Sequence, residues 1–378
     1  MNYQLSNPIK SKSMLIKFDS RNLIGLDLLR FLLSVTILIV HFPHFYYPFI
    51  NLETLNRSTL PFASWLGLIY HFGGFAVEIF WMISGICFFH FYSTLIKEKK
   101  ILFYQFLGLR FSRLYPLHIL TLFIVAILQY YYHIRFGNTF IYQNNDGMHF
   151  ILNILMINFW NAKFGLSFNG PFWSVSVEVF VYVIFFLFVY IGLFEKRKNT
   201  FLIVLIFFFF YSLGILSPFY ECFLFFFTGG LLMQYFSSLN FKKIILMCCF
   251  ISIFVLLLHY IPILKTQEKI DRIIQCVIKL SITVIIIVIF SMLFRNSNKK
   301  FRNILRELGN MTYAIYMVHI ALQIILVLIF FKNGLNFFSS NTFFISYIVI
   351  AGILGFLTYR YFEMPIQNIL RKLFHIDK

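Results

Sequence analysis

The chain has 378 residues, 60% of them hydrophobic and only 12% charged, with a mean hydropathy of +0.82. A soluble domain carries about 25% charged residues, so this sequence has too little polar surface to cover itself in water, and a soluble fold is excluded. The net charge of +18 is spread over short segments between apolar runs rather than gathered in a basic domain. That placement excludes a nucleic-acid partner and matches the cytoplasmic bias of membrane-protein loops.

Residues 1–22 form a basic segment (Lys10, Lys12, Lys17, Arg21) ahead of the first apolar run, which leads into an aromatic stretch and not into a small-residue cleavage site. Ten runs of membrane-spanning length follow, near 23–42, 73–95, 114–134, 172–194, 200–216, 219–238, 244–262, 274–294, 311–331 and 342–362. The Ser217-Pro218 step reads as a tight turn, and the apolar piece 150–160 is too short to span. The segments that fall on one side carry 22 Lys and Arg, those on the other seven. This split predicts an all-α polytopic membrane protein of about ten transmembrane helices with both termini cytoplasmic. A membrane domain over 23–362 then lies between the N-terminal segment and a short tail, 363–378. The five cysteines all lie in apolar runs without a C-x-x-C pair and read as packing residues.

Ionisable residues at membrane depth usually face a bundle interior or a wet cavity. The first run holds three. Asp27 precedes Arg30 by three residues and can pair with it. Arg30 and His41 are eleven residues apart, about three helical turns, which puts both on one face roughly 16 Å apart along the axis. Glu78 and Glu178 lie in the second and fourth runs, where a carboxylate must be protonated or paired. Arg110 and Arg113 share a helical face at the end of a basic segment that also holds Lys97, Lys99 and Lys100, and arginine forks suit phosphate. Pro116 fits the first turn of the helix that follows. His41 and His44 have a spacing that could hold a metal, but no Cys or carboxylate stands close by, so no metal is expected. The segments 43–72 and 135–171 are rich in aromatics and Asn, a composition that suits a membrane interface and also carbohydrate.

Five segments together resemble the membrane acyltransferase-3 family. They are Leu26-Asp27-x-x-Arg30 with His41, Gly74 to Glu78 and Ser84-Gly85, Arg110-x-x-Arg113-x-x-Pro116, Phe172-Trp173 to Glu178, and Leu308-Gly309 through Tyr313 to Tyr316-x-x-His319. The closing Tyr361-Phe362-Glu363-Met364-Pro365 is similar too. Val179 departs from the family, which often has a second Glu there.

The resemblance implies a stand-alone multi-pass enzyme of the bacterial inner membrane. It would transfer an acyl group, often acetyl, from acyl-CoA to a sugar hydroxyl of an envelope or exported polysaccharide. Acyl-CoA is then a substrate, with no bound cofactor, and the partners are a carbohydrate acceptor and the bilayer. Arg110 and Arg113 would hold donor phosphates, and Arg30 would guide the donor's arm or polarise its thioester. His41 would act as general base or carry a transient acyl group, and Glu178 would orient the imidazole or the sugar. Asp27, Glu78, Tyr313 and His319 are further cavity candidates. A transporter or flippase for a lipid-linked sugar is the alternative, though the internal symmetry common in such folds is not visible.

Overall fold

The computed structural model describes residues 22–215, 218–235, 241–259 and 268–373. The basic residues before Asn22, the turn at Ser217 and the last five residues of the tail lie outside the described residues. Among the described residues every regular element is helical. They are α1 (Asn22–Val40), α2 (Ala63–Phe72), α3 (Ala76–Phe91), α4 (Ser93–Lys97), α5 (Phe103–Phe136), α6 (Gly147–Ile154), α7 (Trp173–Tyr190) and α8 (Arg197–Ser212). After these come α9 (Pro218–Tyr235), α10 (Phe241–His259), α11 (Glu268–Met292), α12 (Lys299–Asn310), α13 (Thr312–Phe330), α14 (Gly334–Phe338), α15 (Asn341–Thr358) and α16 (Met364–Leu373).

Among the described residues, seven helices are long and apolar enough to cross a membrane. They are the first four expected runs, α11, α13 and α15 with its continuation. The chain is thus an integral, multi-pass, all-α membrane protein. The other three expected spans form helices too, α8 to α10, which are shorter or less apolar than these seven over the described residues. With 16 residues, α8 rises only about 24 Å against a hydrocarbon core of about 30 Å. Glu221, Thr228, Gly229, Gly230 and Gln234 dilute α9, and α10 is apolar over Lys243–Val255 of its described residues.

The apolar helices carry outward-facing side chains such as Ile127, Phe209, Phe250, Ile329 and Ile353 that no protein covers. In water they would be a liability, whereas in lipid they cost nothing. Inside, two apolar cores meet at α1. One joins α1 to α3, α7, α9 and α11, and the other joins the far end of α1 to α5, α13 and α15. Backbone contact closes the first core. A Cβ on Gly85 would stand 1.9 Å from the Phe226 carbonyl oxygen, and one on Gly229 would stand 2.1 Å from that of Met82. These mutual glycine contacts let α3 and α9 approach at backbone distance, the device that small residues provide between membrane helices. Gly309 does the same for α12, whose close approach leaves Asp27 of α1 no room for a Cβ opposite it.

Two local expectations need correction. Pro116 lies inside α5 and not in its first turn, because the helix already begins at Phe103. The stretch that carries Arg110 and Arg113 is therefore helical, and both project from the first third of α5. At 34 residues, α5 is about 51 Å long, so it overshoots the hydrocarbon core. Glu78 is paired with Lys279 of α11, Nζ to Oε1 at 2.8 Å. It ties α3 to α11 and does not face the cavity described below.

Candidate active site

At the seam between the two cores lies a cavity of about 390 Å³, walled by α1, α3, α5, α7 and α13. Arg30, Arg110, Arg113, Glu178, Tyr313 and Tyr316 all line it. These come from residues 30 to 316 of the chain, and the packing of five helices brings them together. Asp27 stays behind this wall, its Oδ1 3.4 Å from Arg30 Nη1.

One end of the cavity is cationic. The Arg110 guanidinium lies 5.0 Å from the ring centres of both Phe88 and Tyr92 and donates to the Tyr92 hydroxyl. Its Nε is buried without a hydrogen-bond partner among the described residues. Arg113, one turn on, is differently placed. It donates to Glu363 Oε1 and, through Nη2, to the Asn310 carbonyl at 2.9 Å, and its guanidinium faces the Tyr313 ring at 6.0 Å. The Tyr313 hydroxyl is itself spent on the Leu114 carbonyl at 2.8 Å. A third arginine joins them. Arg371 of α16, which packs on α5, feels the charges of both Arg110 and Arg113, and its Nε is also buried without a partner. Three cations with one close carboxylate, Glu363, leave this end with an excess of positive charge.

Midway, the Glu178 carboxylate faces the hydroxyls of Ser84 and Tyr182. At the far end, Tyr316 meets Ser174 Oγ at 2.9 Å and also donates to the Pro171 carbonyl. Beyond Tyr316 stands a histidine cluster. His319 Nδ1 lies 2.6 Å from the Tyr316 carbonyl, and His319 Nε2 lies 3.3 Å from His41 Nδ1. Gln323, one turn past His319, donates to the His41 carbonyl at 2.8 Å and presents Oε1 to His44 Nδ1 at 3.0 Å.

These distances assign the His319 tautomer. A carbonyl can only accept, so His319 carries its proton on Nδ1, which leaves Nε2 bare. His41 Nδ1 faces that bare nitrogen, and the His41 ring also hydrogen-bonds the Ile37 backbone one turn earlier. A carbonyl–His–His chain thus runs from Tyr316 through His319 to His41.

The partner that orients His41 is therefore His319 and not Glu178, because the Glu178 side chain is engaged farther along the cavity. Sequence reasoning also missed Gln323 and Arg371. Gln323 was detectable as an amide four residues after His319 in an otherwise apolar run. Arg371 had no signal beyond its charge, which reads as topology.

Past the histidines an open cleft of about 520 Å³ is lined by Tyr47, Phe49, Asn51 and Asn138, among others. Tyr47 follows His44 by one turn, its backbone N–H bonded to the His44 carbonyl at 3.1 Å. The cleft therefore adjoins the histidine cluster.

A family model described as an acyltransferase domain matches residues 23–360, nearly the whole chain. The chain belongs to the acyltransferase-3 family. It is a membrane acyltransferase that moves groups other than aminoacyl groups. No curated protein and no solved structure matches it. The matched region spans the cationic end, the Glu178 wall and the histidine cluster. Within this acyltransferase only Arg371 and Glu363, of the site residues described above, lie beyond the match.

Proposed function

We propose that this acyltransferase takes an acyl group, acetyl in the simplest case, from acyl-CoA to a sugar hydroxyl of an envelope or exported polysaccharide. The observation that carries the reading is the cavity itself. It runs from an arginine cluster suited to a nucleotide's phosphates to Tyr316, whose backbone carbonyl orients the His319–His41 pair. In this reading both termini are cytoplasmic, which the uneven spread of basic residues supports. The arginine end then faces the cytoplasmic donor pool of a bacterium, and the histidine end opens outward from its inner membrane.

The chemistry starts from the His319–His41 pair. His41 Nε2 removes the proton of the acceptor hydroxyl as its oxygen attacks the thioester carbonyl. The carbon–sulfur bond breaks, and the CoA thiolate takes up the proton from the imidazolium. Arg30, in the cavity wall, stabilises the carbonyl oxygen as charge develops on it. If His41 Nε2 attacks first, the same lone pair carries the acyl group before the sugar receives it. Glu178, with Ser84 and Tyr182, holds the donor's amide-bearing arm. No resident cofactor or metal is invoked.

The acceptor approaches through the open cleft, where the Tyr47 and Phe49 rings suit the apolar face of a sugar and Asn51 and Asn138 its hydroxyls. Cells with the protein should carry base-labile esters on an envelope glycan, and cells without it should lose them. Tyr47→Ala should lower the ester content by raising the acceptor KM several-fold while donor binding stays unchanged. Identical glycans in the two strains would defeat the reading.

A further inference from the structure

Arg113 lines the donor cavity, yet two of its nitrogens are already engaged inside the protein. One nitrogen serves Glu363 and another the Asn310 carbonyl. Glu363 is 1% exposed, and its Oε2 has no hydrogen-bond partner among the described residues. It closes a π-helical turn, Tyr359–Glu363, between α15 and α16. Such a turn fits one more residue than an α-helical turn and is often found at functional sites. Here it brings a carboxylate to α5 at membrane depth, where an unneeded charge is costly.

A carboxylate and a phosphate present the same oxygen geometry to a guanidinium fork. We propose that Glu363 is a built-in competitor for the donor's phosphate at Arg113, a positioning residue that weakens donor and CoA binding on purpose. This rests on the reading that the arginine end binds acyl-CoA. Arg110, held by aromatic faces and one hydroxyl, is then the principal phosphate contact. Arg113 is held in reserve, neutralised until a phosphate oxygen takes over part of its fork. The benefit is release: CoA is common to substrate and product, and binding both tightly raises no rate and traps the product.

The sign of the effect separates this role from simple scaffolding. Glu363→Gln keeps an acceptor for Arg113 but removes the negative charge. Calorimetric titration of the purified full-length protein with CoA should show E363Q binding about tenfold tighter than the parent, the worth of one additional charge-assisted hydrogen bond to phosphate. Its kcat should fall as product release slows. A residue that only braces α5 predicts the opposite, a lower unfolding temperature with CoA affinity unchanged or weaker. A folded E363Q with that behaviour overturns the proposal.

If E363Q does not fold, the pair R113Q/E363Q carries the test. With both charges gone it should bind CoA like the parent, and a loss of about tenfold or more would show that Arg113 was a working contact all along. Arg110→Ala is the third arm. If it binds CoA like the parent, the donor site itself is misplaced, an outcome distinct from failure of the Glu363 role.

Discussion

His41→Ala should bind donor like the parent and yet lose ester transfer by about 10²-fold or more, the usual lower range for deleting a general base. The reason lies in the hydrogen-bond chain. In the proposed mechanism the Tyr316 carbonyl fixes the His319 proton, His319 and the Ile37 backbone hold the His41 ring, and His41 Nε2 serves the acceptor. Alanine removes that nitrogen but keeps the His41 carbonyl that Gln323 binds, so the backbone path out of α1 is preserved. It does strand His319 Nε2, a loss of about 1–3 kcal/mol, so folded protein must be quantified by size exclusion and thermal unfolding before rates are compared. His319→Ala should lower kcat with little change in either KM, because it frees the His41 ring without touching the cavity. His44→Ala, whose partner is the Gln323 amide, should keep substantial activity, and so should a variant of His71, whose side chain is exposed. Near-parental transfer by His41→Ala would remove it from the mechanism.

The second large effect divides the two arginines. Arg110→Ala should weaken acyl-CoA binding by on the order of 1.5–3 kcal/mol, the worth of one hydrogen bond to a charged group, with the acceptor KM unchanged. Arg113→Ala should act mainly on stability. It leaves the Glu363 carboxylate buried and unpaired, and breaking a buried pair from one side costs about 3–5 kcal/mol. Titration with CoA and thermal unfolding in the same detergent measure both. Equal behaviour of the two variants in both assays would contradict the unequal surroundings of the two side chains.

Composition and charge spacing were enough to read the fold class, because a chain this apolar has only one solvent in which it can fold. The family was legible in motifs running from Leu26 to Pro365. Span number was harder to read. Polar residues dilute α9 and α8 is short, so both are less clearly spans than the seven long helices. Arg30 and Glu178 were identifiable as charges at membrane depth, Arg110 and Arg113 as one face of a basic segment and Tyr313 through the family motif, and the structure gathers them around one cavity. What periodicity does not encode is which polar group meets which. Glu78 and Lys279 are 201 residues apart and find each other only because α3 packs on α11. The His41–His319 contact depends in the same way on α13 lying against α1. Glu363 and Arg371 read as the end of a motif and as tail charge, until α16 folds back on α5.

The central claim is that the donor, held in the cavity at Arg110, and the acceptor, held in the open cleft, meet at the histidine cluster from opposite faces of the membrane. Sealed membrane vesicles test it most directly, with acyl-labelled CoA on one face and a glycan acceptor on the other. In inside-out vesicles, CoA added outside should reach Arg110 and place base-labile label on the enclosed glycan, and His41→Ala should abolish it. Right-side-out vesicles given the same external CoA should label nothing. Equal labelling from both faces, or glycan that crosses the membrane without gaining an ester, would contradict the account.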